Sequence, residues 1–446
     1  MGTILTILGQ ILAFAIVFGV LVFFHEFGHF FMAKLVGIRV EVFSFGYGKR
    51  LFGIKKGDTD YRISLIPIGG FVKFSGEDVF EQKREIEAGD FMAAKRWQRF
   101  LVMVMGSVMN IILAILLMTV YNMIPHTVAV FHEQAPVIGW IESGSPAELA
   151  KMMPGDEIIS IDGKETKTWN DMRIAVGTRP DRTLKIEVKR DGRIILIDLM
   201  TESRSRLAIG YAGFMAEIWT QVSMITANSP AEEGGLEVGD IILAINGEPK
   251  FRNQFIEIVE SSPDVELEFL IDRNGEHKTL NITPKREGDV GKIGIGHIEN
   301  SIIKKFGFFM AIGESINFNV DLAFMVIDFL KDLITGEASA KQLGGPLEIA
   351  NFSYAALRAG FMAMIGWIAF FSLQLGIINL FPIPVLDGGQ ILVLGLEGLF
   401  RRDFSPKVKQ VVMQIGFAMF IVLIVFVILN DIAKRLPNGW GSLIPF

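Results

Sequence analysis

The residues of this chain best equipped for chemistry are His25-Glu26-Phe27-Gly28-His29. Two histidines four apart fall on one face of a helix, where both imidazoles can hold a single zinc ion. The glutamate between them can take a proton from metal-bound water, which is the arrangement of a metallopeptidase. The motif follows a run with no charged residue from Met1 to Phe24. An acidic residue near the middle of such a helix costs about 2.5–3.5 kcal/mol on insertion scales, so Glu26 is not there by default.

Two histidines leave the ligand set short. The chain has no cysteine, and His126, His132, His277 and His297 all fall in or beside a long polar segment. Among the acids Asp387 stands out, within Asn379-Leu380-Phe381-Pro382-Ile383-Pro384-Val385-Leu386-Asp387-Gly388-Gly389. Two prolines and two glycines break a helix there, freeing backbone groups that only a protein-lined or wet cavity satisfies. Glu397, Asp321 and Asp328 lie in regular helical pattern and are weaker candidates.

The elements that must position these groups are membrane helices. Half of the 446 residues are hydrophobic, with 37 Phe and 20 Met, and the mean hydropathy is +0.42. This composition excludes a water-soluble globule and leaves room for soluble domains in an integral membrane protein. Four apolar segments can span a bilayer: Thr3 to Leu35, Phe100 to Ile124, Phe361 to Leu399 with an interruption, and Val411 to Asn430. The first lacks a basic leader and runs on into the histidine motif, so it reads as a retained helix and not a signal peptide.

Basic residues follow the first span (Lys34, Arg39, Lys49, Arg50, Lys55, Lys56), precede the second (Lys95, Arg96, Arg99) and join the third to the fourth (Arg401, Arg402, Lys407, Lys409). The positive-inside rule makes these loops cytoplasmic and puts both termini and the segment from His126 to Lys285 outside. His25 precedes Lys34 by nine residues, roughly 13 Å of helix, so the motif lies within the bilayer nearer the cytosol. Between the first two spans, Phe45-Gly46-Tyr47-Gly48 and Pro67-Ile68-Gly69-Gly70-Phe71-Val72-Lys73-Phe74 read as glycine turns flanking short strands such as Tyr61 to Ile66. This region reads as a small sheet dipping toward the membrane, whose edge could pair with an unwound substrate.

The external segment repeats itself. Ser145-Pro146-Ala147-Glu148 leads to Pro154-Gly155-Asp156 and Ile161-Asp162-Gly163, and Ser229-Pro230-Ala231-Glu232 leads to Gly239-Asp240 and Ile245-Asn246-Gly247. Each copy reads as a helix start, a Gly-Asp turn, a buried strand and a hairpin turn, and the pair resembles tandem PDZ domains. That resemblance implies a groove for an extended chain or a C-terminus, with Ile209-Gly210-Tyr211 of the second copy similar to a carboxylate-receiving loop. A spacer role, blocking bulky substrates, fits the same pattern.

The HEFGH motif in the first span, NLFPIPVLDGG in the third and the tandem modules between the second and third together resemble the site-2 protease family of intramembrane zinc metalloproteases. The resemblance covers nearly the whole chain. It implies one zinc ion held by His25, His29 and Asp387, with Glu26 as general base. It also implies substrate positioning by Asn379, Pro382, Pro384 and Gln374 and by the hairpin at Gly69, Gly70 and Phe71. The second span departs from the family pattern at Gly106-Ser107-Val108-Met109-Asn110, after the glycine. The implied substrates are single-span membrane proteins already shortened by another protease, such as anti-sigma factors, and signal-peptide remnants; no nucleic acid is expected. The implied location is a bacterial inner membrane.

The expected fold is a polytopic α-helical membrane protein with about four spans, one interrupted, a membrane-associated β-hairpin or sheet, and two inserted PDZ-like α+β domains. The expected divisions are 1–125 for the first half of the membrane core and 126–202 and 203–286 for the modules. An amphipathic interfacial helix is expected over 300–335, and the second half of the core over 345–446. Rival readings are a metal-binding membrane protein without hydrolytic activity and an inactive scaffold acting through its modules.

Overall fold

The computed structural model describes residues 2–77, 87–204 and 209–436. Met1 and 437–446, at the ends of the expected membrane core, and 205–208, near the expected start of the second module, lie outside the described residues. The chain divides into two compact units. One comprises Met1–Ile124, Lys305–Lys331 and Leu343–Phe446, and the other Pro125–Lys304 and Asp332–Gln342.

In the first unit, helix α1 (Gly2–Leu35) carries the histidine motif and packs against α2 (Arg96–Met123). Gly28 sets their approach, because a Cβ there would run into the Met105 carbonyl. Strands β1 (Val40–Lys56) and β2 (Thr59–Phe74) lie between the two helices in sequence. Val42 to Phe45 pair on both sides, with Gly70 to Lys73 on one and with Asp60 to Ile63 on the other. Arg50 to Lys56 then pair with Thr59 to Ser64, so two long bent strands make a broader sheet. The glycine turns expected from sequence are where the strands change direction. Val42 to Phe45 run parallel to Asp60 to Ile63, while Phe52 to Lys56 run antiparallel to them, so the chain reverses at Gly46 to Gly48, again at Gly57-Asp58 and again near Gly69, with all four glycines at positive φ. Glycine takes positive φ without a Cβ penalty, which suits it to each of these reversals.

The second unit holds both modules. In the first, α3 (Pro146–Leu149) is capped by Ser145, α4 (Trp169–Gly177) by Thr168, and the strands Lys164–Glu165, Glu157–Ile161, Thr183–Arg190 and Arg193–Met200 pair in that order. In the second, α5 (Pro230–Glu233) is capped by Ser229, and α6 (Arg252–Ser261) follows the strand Ile241–Ile245. Each module has its own core, one around Ile138, Ile158, Ile186 and Leu199 and the other around Ile242, Phe255, Phe269 and Ile271.

Module boundaries differ from those expected. Phe214–Ala216 pairs with Ile138–Ile141, and Ala147 donates to the Ala212 carbonyl, so Ile209-Gly210-Tyr211 belongs to the first module and not the second. The second module likewise runs beyond 286, since Ile295–Glu299 pairs with Thr220–Ile225 and Ala231 donates to the Ile293 carbonyl. Gly213 and Gly294 occupy matching places, both at positive φ and each against the capping serine of its module. The closing strand of each copy returns late in sequence to lie beside its first.

Helix α7 (Phe308–Thr335) follows. It begins later than expected, because Ser301–Lys304 pairs with His126–Ala129 instead of entering the helix. Phe306 donates to the Asn122 carbonyl and Ser315 meets the Asn122 amide, so α7 starts beside the end of α2. After α7, the Leu343 carbonyl accepts from Asn430 near the end of the last helix, and α8 (Pro346–Ala359) places Tyr354 against Gly9 and Asn351 against Gln10.

Helix α9 (Phe361–Asn379) runs alongside α1, with Ile368 beside Val17 and Leu21, Gly376 against Ser107, and Asn379 at His25. Residues 380–386 break the expected long third span, and α10 (Asp387–Leu399) starts afresh. The break needs its glycines: a Cβ at Gly388 would strike the Leu380 and Phe381 carbonyls, and one at Gly389 the Ile383 carbonyl. Helix α11 (Pro406–Ala433) packs Gly416 on Pro384 and ends with buried Asp431 accepting from the Gly345, Leu347 and Glu348 amides. Among the described residues, five helices, α1, α2, α7, α9 and α11, are long and apolar enough to cross a membrane. Their outer faces expose side chains such as Leu8, Leu12, Leu116, Val422 and Val425, which suits lipid and not water.

Candidate metal centre

Helix periodicity brings His25 and His29 to the same side of α1, facing α2 and the break before α10. His25 Nε2 and His29 Nε2 stand 3.1 Å apart, and Asp387 Oδ2 lies 3.2 Å from the first and 3.4 Å from the second. A tetrahedral zinc ion with bonds of about 2.0–2.1 Å holds its ligand atoms roughly 3.3–3.4 Å apart. The three donor atoms therefore already have the spacing of one face of such a site. Asp387 Oδ2 is buried yet has no hydrogen-bond partner, the condition of a donor aimed at a cation. Among the described residues this is the one group of three His, Cys, Asp or Glu side chains whose donor atoms converge in this way.

The surroundings fix the imidazoles. His29 Nδ1 is 2.8 Å from the Val102 carbonyl, to which its N–H donates when Nε2 faces the aspartate. Such a second hydrogen bond selects the tautomer and orientation of a ligand histidine. Gly106 lies under both rings: a Cβ there would sit 2.6 Å from His29 Cε1 and 2.7 Å from His25 Cε1. Asn110, fully buried one turn further along α2, places its amide nitrogen 3.5 Å from His25 Nδ1. Val102, Gly106 and Asn110 recur every four residues on one α2 face.

Glu26 turns the other way, toward the sheet. Its Oε2 accepts from the Val72 amide at 3.0 Å, and Gly70 lies near its side chain. Val72 sits opposite Phe43, so an N–H bound to Glu26 points away from the ladder, along the free edge of the sheet. That edge thus presents its backbone beside a carboxylate that neighbours the histidine pair.

The other residues singled out in the sequence divide into two groups. Asn379 reaches the cluster, with Nδ2 3.4 Å from His25 Nε2. Pro382 and Pro384 form the break that delivers Asp387, and Gly69 and Phe71 pack on Tyr47, Phe71 stacking at 5.9 Å. Gln374 is five residues before Asn379, roughly 140° round the helix, and no described contact joins it to the cluster. Glu397 is buried but pairs with Lys409 at 2.7 Å, and Asp321 and Asp328 belong to α7. In the modules, burial, with Arg173 and Arg252 adding to it, holds His132 and His297 below the ordinary histidine value.

Sequence reasoning missed Val72, Val102, Gly106 and Asn110 as parts of this site. Two of them act through backbone groups, which residue type does not reveal. Gly106 and Asn110 carried a signal, a small residue and a buried amide one turn apart in an otherwise apolar span.

The model of peptidase family M50 matches residues 13–423. A candidate zinc metalloprotease of Vibrio cholerae is 31% identical over 453 residues, covering 96% of this chain and 99% of that protein. Regulators of sigma-E protease from Salmonella typhi and Escherichia coli are 32% and 31% identical, each match covering 96% of this chain and all of the relative. Among solved structures, the PDZ domain of an SdrC-like protein from Listeria monocytogenes aligns with 19% of this chain and 90% of that domain, at 19% identity and a TM-score of 0.17. A match over nearly the full length on both sides, joined to a buried HExxH site among apolar helices, has one reading: this membrane-embedded protease belongs to peptidase family M50.

Proposed function

We propose that this protease is a zinc endopeptidase cleaving single-span membrane proteins within the bilayer, with His25, His29 and Asp387 as ligands of one ion and Glu26 as general base. The observation that carries the reading is the convergence of three donor atoms at 3.1–3.4 Å beside a fourth, catalytically suited carboxylate. A zinc ion held there would supply a Lewis acid and lower the pKa of a bound water to about 7. Glu26 then takes the proton of the attacking water and passes it to the leaving amine. Asn379 Nδ2, already at the cluster, is placed to donate to the carbonyl oxygen as negative charge develops there.

A helical substrate hides its carbonyls in its own hydrogen bonds, so it must be held extended. The edge strand at Gly70 to Phe74 offers backbone pairing for that purpose, in the manner of strand addition, where a substrate carbonyl replaces the Glu26 or Glu77 carboxylate at the Val72 or Phe74 amide. Pro382 and Pro384 keep the opposite wall irregular, which a bilayer tolerates only in a protein-lined or wet cavity. Substrates already shortened outside the membrane fit a site with folded modules in the same chain. The family resemblance implies anti-sigma factors as one substrate class, in regulated intramembrane proteolysis, and regulators of sigma-E protease are among the relatives.

The topology that accompanies this reading has four crossings, by α1, α2, α9 and α11. It is supported by the contacts of α7, which starts at the end of α2 and is followed by residues seated at the end of α11. A chain that enters and leaves at one end crosses an even number of times between α2 and α9, so α7 does not add a span. The basic loops then lie in the cytoplasm of a bacterial inner membrane, with the modules and termini outside.

The test is cleavage of a single-span reporter by wild type and Glu26→Gln in membranes, with zinc measured on both. Retained zinc with cleavage reduced by about 10²-fold or more is expected. Full activity in Glu26→Gln would favour a metal-binding protein whose glutamate has no chemical task.

A further inference from the structure

The two histidines of the site are supported unequally. His29 has an acceptor for its second nitrogen in the Val102 carbonyl at 2.8 Å. His25 directs Nε2 toward His29 and Asp387, so its Nδ1 carries the proton and requires an acceptor of its own. The side-chain atoms within hydrogen-bond distance of His25 Nδ1 are two amide nitrogens, Asn110 Nδ2 and Asn379 Nδ2, both at 3.5 Å. Two donors cannot serve a third.

The oxygen of one of these amides is stranded. Asn110 is wholly buried, and its Oδ1 has no hydrogen-bond partner. The nitrogen and oxygen of an asparagine amide are distinguished by their hydrogen bonds, not by their shape. Turning the Asn110 amide by half a turn puts Oδ1 where Nδ2 stands, and one rotation satisfies both the orphaned oxygen and the His25 Nδ1–H. Asn379 has no such orphan among the described buried atoms, so nothing calls for turning its amide.

We propose that Asn110 is a positioning residue that accepts the Nδ1–H of His25, the counterpart on α2 of the Val102 carbonyl for His29. Its own placement is firm: the Asn110 carbonyl accepts from Ser372 Oγ at 2.7 Å, and Gly376 packs against its Cβ. α2 therefore orients both imidazoles from one face, through a backbone oxygen at 102, a gap at 106 and a side-chain oxygen at 110. A fixed His25 ring is a better ligand because it does not have to be ordered when the ion binds.

The inference rests on the metal site proposed above, and the experiment separates the two. Full-length wild type, Asn110→Asp and Asn110→Leu are purified in detergent, loaded with zinc alone, and followed as a chelator removes it. Wild type should hold one zinc ion. Asn110→Leu, similar in volume without an acceptor, should weaken zinc affinity by about 10–100-fold. Asn110→Asp, which keeps an acceptor and cannot donate, should remain near wild type. Cobalt in place of zinc adds a spectroscopic readout, in which the ligand-field bands of Asn110→Leu should shift or broaden and those of Asn110→Asp should not. Wild-type protein without zinc would overturn the metal site itself. Equal zinc retention in Asn110→Leu and wild type, or equal loss in Asn110→Asp and Asn110→Leu, would overturn the role of Asn110 alone. Should Asn110→Leu fail to fold, loss of zinc from a folded Asn110→Asp decides against the inference and retention supports it.

Discussion

Gly106→Ala is the perturbation for which structure and local propensity pull in opposite directions. The added Cβ would lie 2.6 and 2.7 Å from ring carbons of His29 and His25. Non-bonded carbons normally rest at about 3.5–4.0 Å, so the rings must retreat by about 1 Å. A metal site tolerates displacements of roughly 0.2 Å in its bond lengths. Misplacement by about 1 Å costs on the order of 10²-fold, or about 3 kcal/mol, in the function that depends on the geometry. The helix itself should benefit, because alanine in a helix interior is favoured over glycine by about 1 kcal/mol. The variant should therefore keep its fold and thermal stability while losing zinc to a chelator and losing cleavage of a single-span reporter. Ser107→Ala is the matched control: its hydroxyl is buried without a partner, so removing it should change neither property. Gly106→Ala with a full complement of zinc and normal cleavage would refute the reasoning that α2 packs directly under the histidine rings.

Other consequences concern the sheet edge and the modules. Val72→Pro removes the N–H that meets Glu26 at a position where the sheet does not use it, and edge strands accept proline there. Zinc content should stay at the wild-type level while reporter cleavage falls by about tenfold or more; unchanged cleavage would remove the edge from the account. Arg190→Leu leaves the Asp156 carboxylate, fully buried and held by two 2.7 Å bonds from Arg190, without its partner. The first module should lose about 3 kcal/mol, the low end of the range since the arginine is partly exposed. Hydrogen exchange of its strand amides in the intact protein should quicken, while the second module, with its own Arg273–Asp240 pair, should not change.

The membrane helices were legible because nothing else requires twenty consecutive apolar residues, and the candidate ligands could be proposed because few residue types bind zinc. Asp387 could be picked out, hundreds of residues from His25, because proline and glycine around it are costly in a span unless they serve a cavity. The sheet was harder. Its turns at Gly46 to Gly48 and near Gly69 were legible, but not the order of its strands, in which Val42 to Phe45 lie between Gly70 to Lys73 and Asp60 to Ile63. The end of each module was hidden for a different reason. Ile209-Gly210-Tyr211-Ala212-Gly213-Phe214 and Val290-Gly291-Lys292-Ile293-Gly294-Ile295 repeat one another, but at a slightly shorter spacing than the Ser-Pro motifs, and short strands carry little periodicity. The first of them therefore reads in sequence as the start of the second copy, although it closes the first. The supports of the histidines were hidden because a carbonyl at Val102 and an amide at Val72 belong to the backbone of ordinary residues.

The central claim is that three side chains from two distant parts of the chain hold one zinc ion inside the bilayer. Metal analysis of purified wild type and Asp387→Asn, after equal exposure to a mild chelator, tests it most directly. One zinc ion per wild-type chain, and none in a folded Asp387→Asn, is the predicted result. Asp387→Asn retaining one tightly held zinc ion would contradict the account, because the ligand contributed by the broken third span would then lie elsewhere.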